Sequence, residues 1–245
     1  MATSAAKKGS IISSEAGRAA PVPIALFVAL AANSWHATTP HDLDQRVFAA
    51  INADGHGLVF RSAEVISLTA SPFGGAALVA IATAVVWWRS RDVVASVAVT
   101  VAAGLAAVLQ NVGKAIVQRP RPLSAQGLTG LSGYAFPSGH ATGISALVTV
   151  LSLLIMANRL TIHRASRAIA ALVTFGVLVS FTRLLTGAHY MTDVVGGLAL
   201  GTAISCLVIA ALPLADGGYA RLRIRRGEES RPASHPTMRQ KKSTP

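Results

Sequence analysis

The sequence predicts an all-α polytopic membrane bundle of six transmembrane helices, and three observations carry that expectation. Of 245 residues, 52% are hydrophobic and only 13% charged, where a soluble domain keeps about a quarter of its residues charged. The apolar residues are gathered into long blocks rather than scattered at amphipathic spacing, and a bilayer core of about 30 Å needs roughly 20 of them per crossing. Lys and Arg fall unevenly between the alternate separators of those blocks.

The blocks run at about 20–35, 65–88, 93–112, 137–156, 168–186 and 194–214. Pro21 and Pro23 shorten the first. Lys7, Lys8 and Arg18 ahead of it leave a signal peptide as the alternative reading of that segment, with the orientation of the other five unchanged. The separator 36–62 holds His36, His41, Asp42, Asp44, Arg46, Asp54, His56 and Arg61 and reads as a polar outer loop. Its Asp42 and Asp44 are expected at the loop surface, where they could also shape a lid. The second block ends on Trp87-Trp88 and is followed by Arg89-Ser90-Arg91-Asp92. After the third block, 113–136 is rich in Gly, Pro and basic residues. After the fourth, 157–167 carries Arg159, His163, Arg164 and Arg167. A short turn near 187–193 precedes the sixth block. There, Gly197 and Gly201 make a small-residue step suited to close packing within the monomer. The lone Cys206 in this block can form no internal disulfide and reads as a small buried side chain. Three parts are therefore expected: a cytoplasmic segment over 1–19, the six-helix domain over 20–214, and a basic, disordered cytoplasmic tail over 215–245.

With six crossings, one side of the membrane receives 16 Lys and Arg residues and the other receives 6. Positive residues stay on the cytoplasmic side, so both termini are expected there. The net charge of +12 thus reads as topology, and no nucleic-acid partner is expected. Trp35 and Trp87-Trp88 fit interfacial belts. Four of the six outer cations, Lys114, Arg119, Arg121 and Arg183, sit among the residues that carry chemistry.

Those residues form three clusters where the third to fifth blocks meet the outer face. Lys114-Ala-Ile-Val-Gln-Arg-Pro-Arg121-Pro122 presents cations just outside the membrane, and its two prolines should stop the helix before Arg121. Pro137-Ser138-Gly139-His140 opens the fourth block. Backbone N–H groups there lack intrahelical partners and make an anion site; Gly139 permits close approach, Ser138 adds a hydroxyl, and His140 can give or take a proton. Thr182-Arg183 precedes His189 and Asp193, which are four apart and expected on one helix face. A carboxylate on one imidazole nitrogen frees the other as a nucleophile, and Arg183 offers a planar fork to phosphate oxygens. Together the clusters make a pocket for a trianion. His36, His41, His56, His163 and His235 lie in loops or the tail and read as solvated.

These motifs resemble the type 2 phosphatidic acid phosphatase superfamily, which also includes vanadium haloperoxidases. The pattern Lys-x6-Arg-Pro, Pro-Ser-Gly-His and Ser-Arg-x5-His-x3-Asp is met by Lys114, Arg121-Pro122, Pro137 to His140, Arg183, His189 and Asp193, with Thr182 in place of Ser. The resemblance covers about 60–214. It implies that His189 attacks phosphorus to form a phosphohistidine while Asp193 holds its ring. Lys114, Arg121, Arg183, Ser138 and Gly139 would bind the phosphate, and His140 would serve the leaving group. No metal or other cofactor is implied, and no compact His/Cys/carboxylate cluster calls for one. The expected activity is hydrolysis of a lipid phosphate or diphosphate at the outer face of a bacterial cell membrane. Polyprenyl (undecaprenyl) diphosphate is the first choice, then phosphatidic acid and phosphatidylglycerophosphate. The rivals are a lipid phosphotransferase, a non-catalytic lipid-binding or transport protein, and a haloperoxidase, although those relatives are soluble. Oligomeric state is not legible.

Overall fold

The computed structural model describes residues 2–37, 39–51, 57–122, 133–157 and 161–229, with side chains described between Ser10 and Ala211. The described residues form helices α1 (Ala2–Ala19), α2 (Pro21–Ser34), α3 (Asp42–Ile51), α4 (Leu58–Ser67), a 3-10 turn (Leu68–Ala70), α5 (Pro72–Ser90), α6 (Val93–Val117), α7 (Gly139–Ala157), α8 (Ile162–Leu185) and α9 (Met191–Glu229). Among the described residues, six stretches are long and apolar enough to cross a bilayer: Ser10–Ser34, Pro72–Ser90, Val93–Val117, Gly139–Ala157, Ile162–Leu185 and Met191–Ala211. This is an integral membrane protein with an all-α fold. His56, His235 and the sequence beyond Glu229 lie outside the described residues.

Local chemistry sets the helix ends. Ser71 caps α5 by accepting the Gly74 N–H at 3.2 Å, with Pro72 in the first turn. The separator Arg89–Asp92 then does two jobs. Arg91 takes a left-handed conformation (φ 54°) that closes α5, and Asp92 accepts the N–H groups of Val94 and Ala95 at 2.9 and 3.1 Å to open α6. Gln118, at φ 53°, ends α6 one residue before the Arg-Pro-Arg-Pro run.

Helix α6 shows how the bundle is solvated. Val97, Val101, Leu105, Val108 and Val112 line an exposed stripe, while Ala98, Ala102, Ala106 and Gly113 face inward. Large residues outside and small ones inside fit a lipid solvent, where association depends on close packing rather than on hiding apolar surface from water. The centre of the bundle is the α7–α9 pair. A Cβ on Gly201 would stand 2.1 Å from Ser145 Oγ and 2.2 Å from the Thr142 carbonyl, and one on Gly197 2.6 Å from the Ser138 carbonyl. The small-residue step of the sixth block thus brings two backbones together within one chain, at the level of the Ser138-Gly139-His140 motif.

Several expected boundaries move. The first span begins at Ser10, because Ala20 is helical and joins α1 to α2; Ala16 and Ala20 pack in a core with Ala98, Cys206 and Ile209. Helix α9 continues to Glu229, into the segment expected as the tail. The separator 36–62 is not a plain loop: it contributes α3 and the start of α4. Asp42 is exposed as expected, but Asp44 is fully buried, which corrects its assignment to the loop surface.

Candidate active site

Five of the ionisable groups expected to act on a phosphate come together. Lys114 on α6, Arg121 after it, His140 on α7, Arg183 on α8 and His189 before α9 all line one cavity of about 1210 Å³. Gly139 lines it too. Ser138 does not: it is fully buried, its N–H donates to the Asp193 carbonyl at 3.0 Å, and its hydroxyl has no hydrogen-bond partner. Helix α7 starts at Gly139, so Ser138 holds the capping position and Pro137 lies before the first turn rather than in it. A Cβ on Gly139 would stand 2.3 Å from Gln110 Oε1, so glycine here lets α6 press against the mouth of α7.

His189 and Asp193 do not meet by sharing a helix face, as their spacing suggested. His189 sits in the turn before α9, and Asp193 in the first turn of α9 reaches back to accept the Tyr190 N–H at 2.8 Å. This is the returning half of a capping box. It brings Asp193 Oδ2 to 3.7 Å from His189 Nδ1, which has no hydrogen-bond partner. The other ring nitrogen, Nε2, lies 3.2 Å from Arg121 NH1. A guanidinium only donates, so Nε2 must accept. The proton of the neutral ring is therefore on Nδ1, facing the carboxylate, and the Nε2 lone pair faces the cavity cations.

Burial is the main force holding the His189 imidazolium down, to about 4; the charges of Arg121 and Arg183 add to it and Asp193 opposes it. The ring is neutral near pH 7, the form a nucleophile needs. His140 is oriented by α4: its Nε2 lies 3.1 Å from the Ser67 carbonyl, which only accepts, so Nε2 carries the proton and Nδ1 is left for the cavity. Ser67 also accepts from Arg183 through its hydroxyl. Arg121 is fixed without a helix, donating from Nε to the Gly133 carbonyl at 3.2 Å and from NH1 to the Ala188 carbonyl at 3.0 Å. Thr182, the departure from the motif, donates to the Val179 carbonyl at 2.7 Å within α8 and is buried away from the phosphate groups.

A second cluster, whose roles the sequence did not disclose, lies behind Asp193. Arg119 is 1% exposed and donates to Asp193 Oδ1 at 2.7 Å, Asp44 Oδ2 at 2.6 Å and Thr192 Oγ1 at 2.6 Å. Asp44 also accepts from the Thr192 N–H and hydroxyl at 3.0 and 2.7 Å. The Tyr190 ring stacks under Arg119 at 4.7 Å. Burial works against the Arg119 charge, but the two carboxylates outweigh it and raise its pKa. Arg121 has burial as its main influence and is lowered. Arg119 was visible only as one cation in a basic run, and nothing in the sequence marked Ser67.

The family model described as PAP2 superfamily matches residues 95–215. Phosphatidylglycerophosphatase B of Bacillus subtilis (strain 168) is 34% identical over 103 residues, covering 41% of this chain and 50% of that protein. Lipid A 1-phosphatase of Rhizobium etli is 32% identical over 109 residues, covering 41% and 43% respectively. The chain spans about half the length of the curated relatives it matches. The crystal structure of a transmembrane PAP2 type phosphatidylglycerolphosphate phosphatase from Bacillus subtilis superposes with a TM-score of 0.64 over 87% of this chain and 98% of that one; at 20% identity it speaks for the fold alone. Sequence motifs, family match and architecture agree, and residues 95–215 match the PAP2 superfamily.

Proposed function

We propose that the chain hydrolyses the phosphate of a membrane lipid through a phosphohistidine on His189. The observation that carries this reading is the cavity itself. Two histidines and three cations stand at one end, and the rest follows α5 from Ser71 to Trp87 past Leu78, Val79 and Thr83, with Ala103, Ala107 and Leu147 opposite. That is roughly 24 Å of helix rise, long enough for a hydrocarbon chain to lie beside its own headgroup.

In this reading Lys114, Arg121, Arg183 and the free N–H groups of the α7 first turn hold the phosphate oxygens and the charge that builds on them. The Nε2 lone pair of His189 attacks phosphorus, and the bond to the lipid oxygen breaks. His140 enters this step as the imidazolium: Nε2–H stays on the Ser67 carbonyl and the Nδ1 proton passes to that oxygen, leaving the ring neutral. Water then attacks the phosphorus of the phosphohistidine, His140 takes its proton, the P–N bond breaks and inorganic phosphate leaves. The excess of Lys and Arg on the opposite separators supports cytoplasmic termini, with the cavity mouth on the outer face. The basic segment after 214 belongs with the cytoplasmic side on the same grounds.

Phosphate release by the detergent-purified chain, with EDTA present, tests this on polyprenyl diphosphate, phosphatidic acid, phosphatidylglycerophosphate and a soluble sugar phosphate. Release from a lipid that persists in EDTA and disappears in His189→Ala is the expected result. Transfer to an added acceptor without release to water would favour a phosphotransferase. Lipid binding with no turnover in either protein would make the chain a binder.

A further inference from the structure

The cluster behind Asp193 has no part in holding a phosphate, since none of Asp44, Arg119 and Thr192 lines the cavity. Yet three buried charges are costly to keep unless they are paired, and here they are paired with each other and with one member of the reacting set. Asp193 has two carboxylate oxygens. Oδ1 is taken by Arg119, and Oδ2 accepts the Tyr190 N–H while facing His189 Nδ1. Arg119 is itself fixed by three acceptors and an aromatic face. We propose that Arg119 is a positioning residue for the His189 nucleophile, and that Asp44 on α3 is its counter-anion.

The presence of Asp44 is what makes the arrangement suit the chemistry. An Arg119–Asp193 pair alone would be neutral, with the carboxylate's charge drawn toward the guanidinium. The set Asp44, Arg119 and Asp193 carries a net single negative charge. Asp193 thus stays rigid and still presents negative charge to a ring that becomes cationic when Nε2 bonds to phosphorus with Nδ1 protonated. Helix α3 brings Asp44 to this point and also packs its Phe48 against Tyr190, with ring centroids 5.8 Å apart. The charged and titratable groups facing His189 are Asp193 from α9, Arg121 from the segment after α6 and Arg183 from α8. His140 of α7 and Lys114 of α6 share the cavity, and Arg119 and Asp44 stand one step behind Asp193.

This inference rests on the phosphatase reading, and the test separates the two. Hydrolysis of each lipid in that panel is followed against pH for the full chain, His189→Ala, Asp44→Asn, Arg119→Gln and Arg119→Lys, each checked for a folded, monodisperse state. Asp44→Asn leaves the Arg119–Asp193 pair with no net charge, so the acid limb of kcat/KM should move down by roughly one unit. Arg119→Gln keeps a donor to Asp193 but removes the cation, so the limb should move up. Both should lose about 10- to 100-fold in kcat with KM unchanged, and Arg119→Lys should recover part of that loss. Opposite displacements are the signature, because a merely structural prop would move neither limb. If Arg119→Gln does not fold, Asp44→Asn decides alone: a downward limb supports the assignment and an unmoved one overturns it. Limbs that stay put, or a loss confined to KM, overturn the inference while an active wild type and a dead His189→Ala leave the phosphatase reading standing. A wild type that releases no phosphate, or an active His189→Ala, takes both down.

Discussion

Arg119 and Arg121 are two residues apart in the same Arg-Pro-Arg-Pro run, both are buried, and they lie in opposite kinds of surroundings. Arg119 is bonded to two carboxylates. Arg121 donates to two carbonyl oxygens and an imidazole and forms no ion pair with a carboxylate among the described residues. One cation is spent on the protein; the other is left with charge to offer a ligand. The difference follows from backbone placement. Past the left-handed residue Gln118 the chain is no longer helical, so neighbouring side chains are free to point to opposite sides of the His189 turn. The face toward the cavity is kept electrostatically unfinished, and the face behind Asp193 is closed.

The largest expected effect comes from breaking each face in turn. Arg119→Ala would strand Asp44 and Asp193 as two buried carboxylates, and breaking a buried pair from one side costs about 3–5 kcal/mol. Arg121→Ala removes a cation that burial already disfavours, so its cost in stability should be much smaller. In turnover, the loss of a donor to the developing phosphate charge should slow Arg121→Ala by about 10²–10³-fold. Thermal unfolding in detergent alongside phosphate release measures both. A variant at 121 that unfolds earlier than its counterpart at 119 would end the comparison.

How much of this was legible beforehand follows the same division. Residues whose placement depends on sequence-local geometry were readable: Lys114 near the end of a helix, Gly139 and His140 at the start of one, and Asp193 four residues after His189. The six spans were readable because a bilayer demands length and apolarity whatever the packing. Asp44 was not, since its burial depends on Arg119 and Thr192, which are 75 and 148 residues away in sequence. Ser67 was hidden likewise, because it acts on His140 through a backbone carbonyl that any residue possesses. The His189–Asp193 contact was expected for a partly wrong reason. Spacing gave the pair, but the means is a helix cap rather than a helix face.

A pH measurement sharpens the contrast by a somewhat smaller amount. The folded ring of His189 is held down to about 4 from an ordinary 6.5. Above about 6.5 neither the folded nor the unfolded state binds the proton, and full stability is present. As pH falls from there toward about 4 the unfolded state takes the proton and the folded state does not, so stability falls, by roughly 3 kcal/mol in all. The melting temperature of wild type should therefore drop more steeply on acidification than that of His189→Ala. Parallel curves for the two proteins would mean that the cavity face does not press on this ring as described.

The smallest effect is expected where the chain departs from the family's pattern. Thr182 lies beside Arg183 in sequence and keeps the hydroxyl of the Ser it replaces. It is 3% exposed and spends its proton on the Val179 carbonyl one turn back, the local bond that serine makes equally well. Thr182→Ser should leave kcat and KM within about twofold and cost at most about 1 kcal/mol for the buried methyl group it deletes. A large fall in kcat with stability intact would instead mean that the methyl group holds the Arg183 side chain in place. In that case the unfinished face of the site would depend on packing within α8 as well as on the cations that line it.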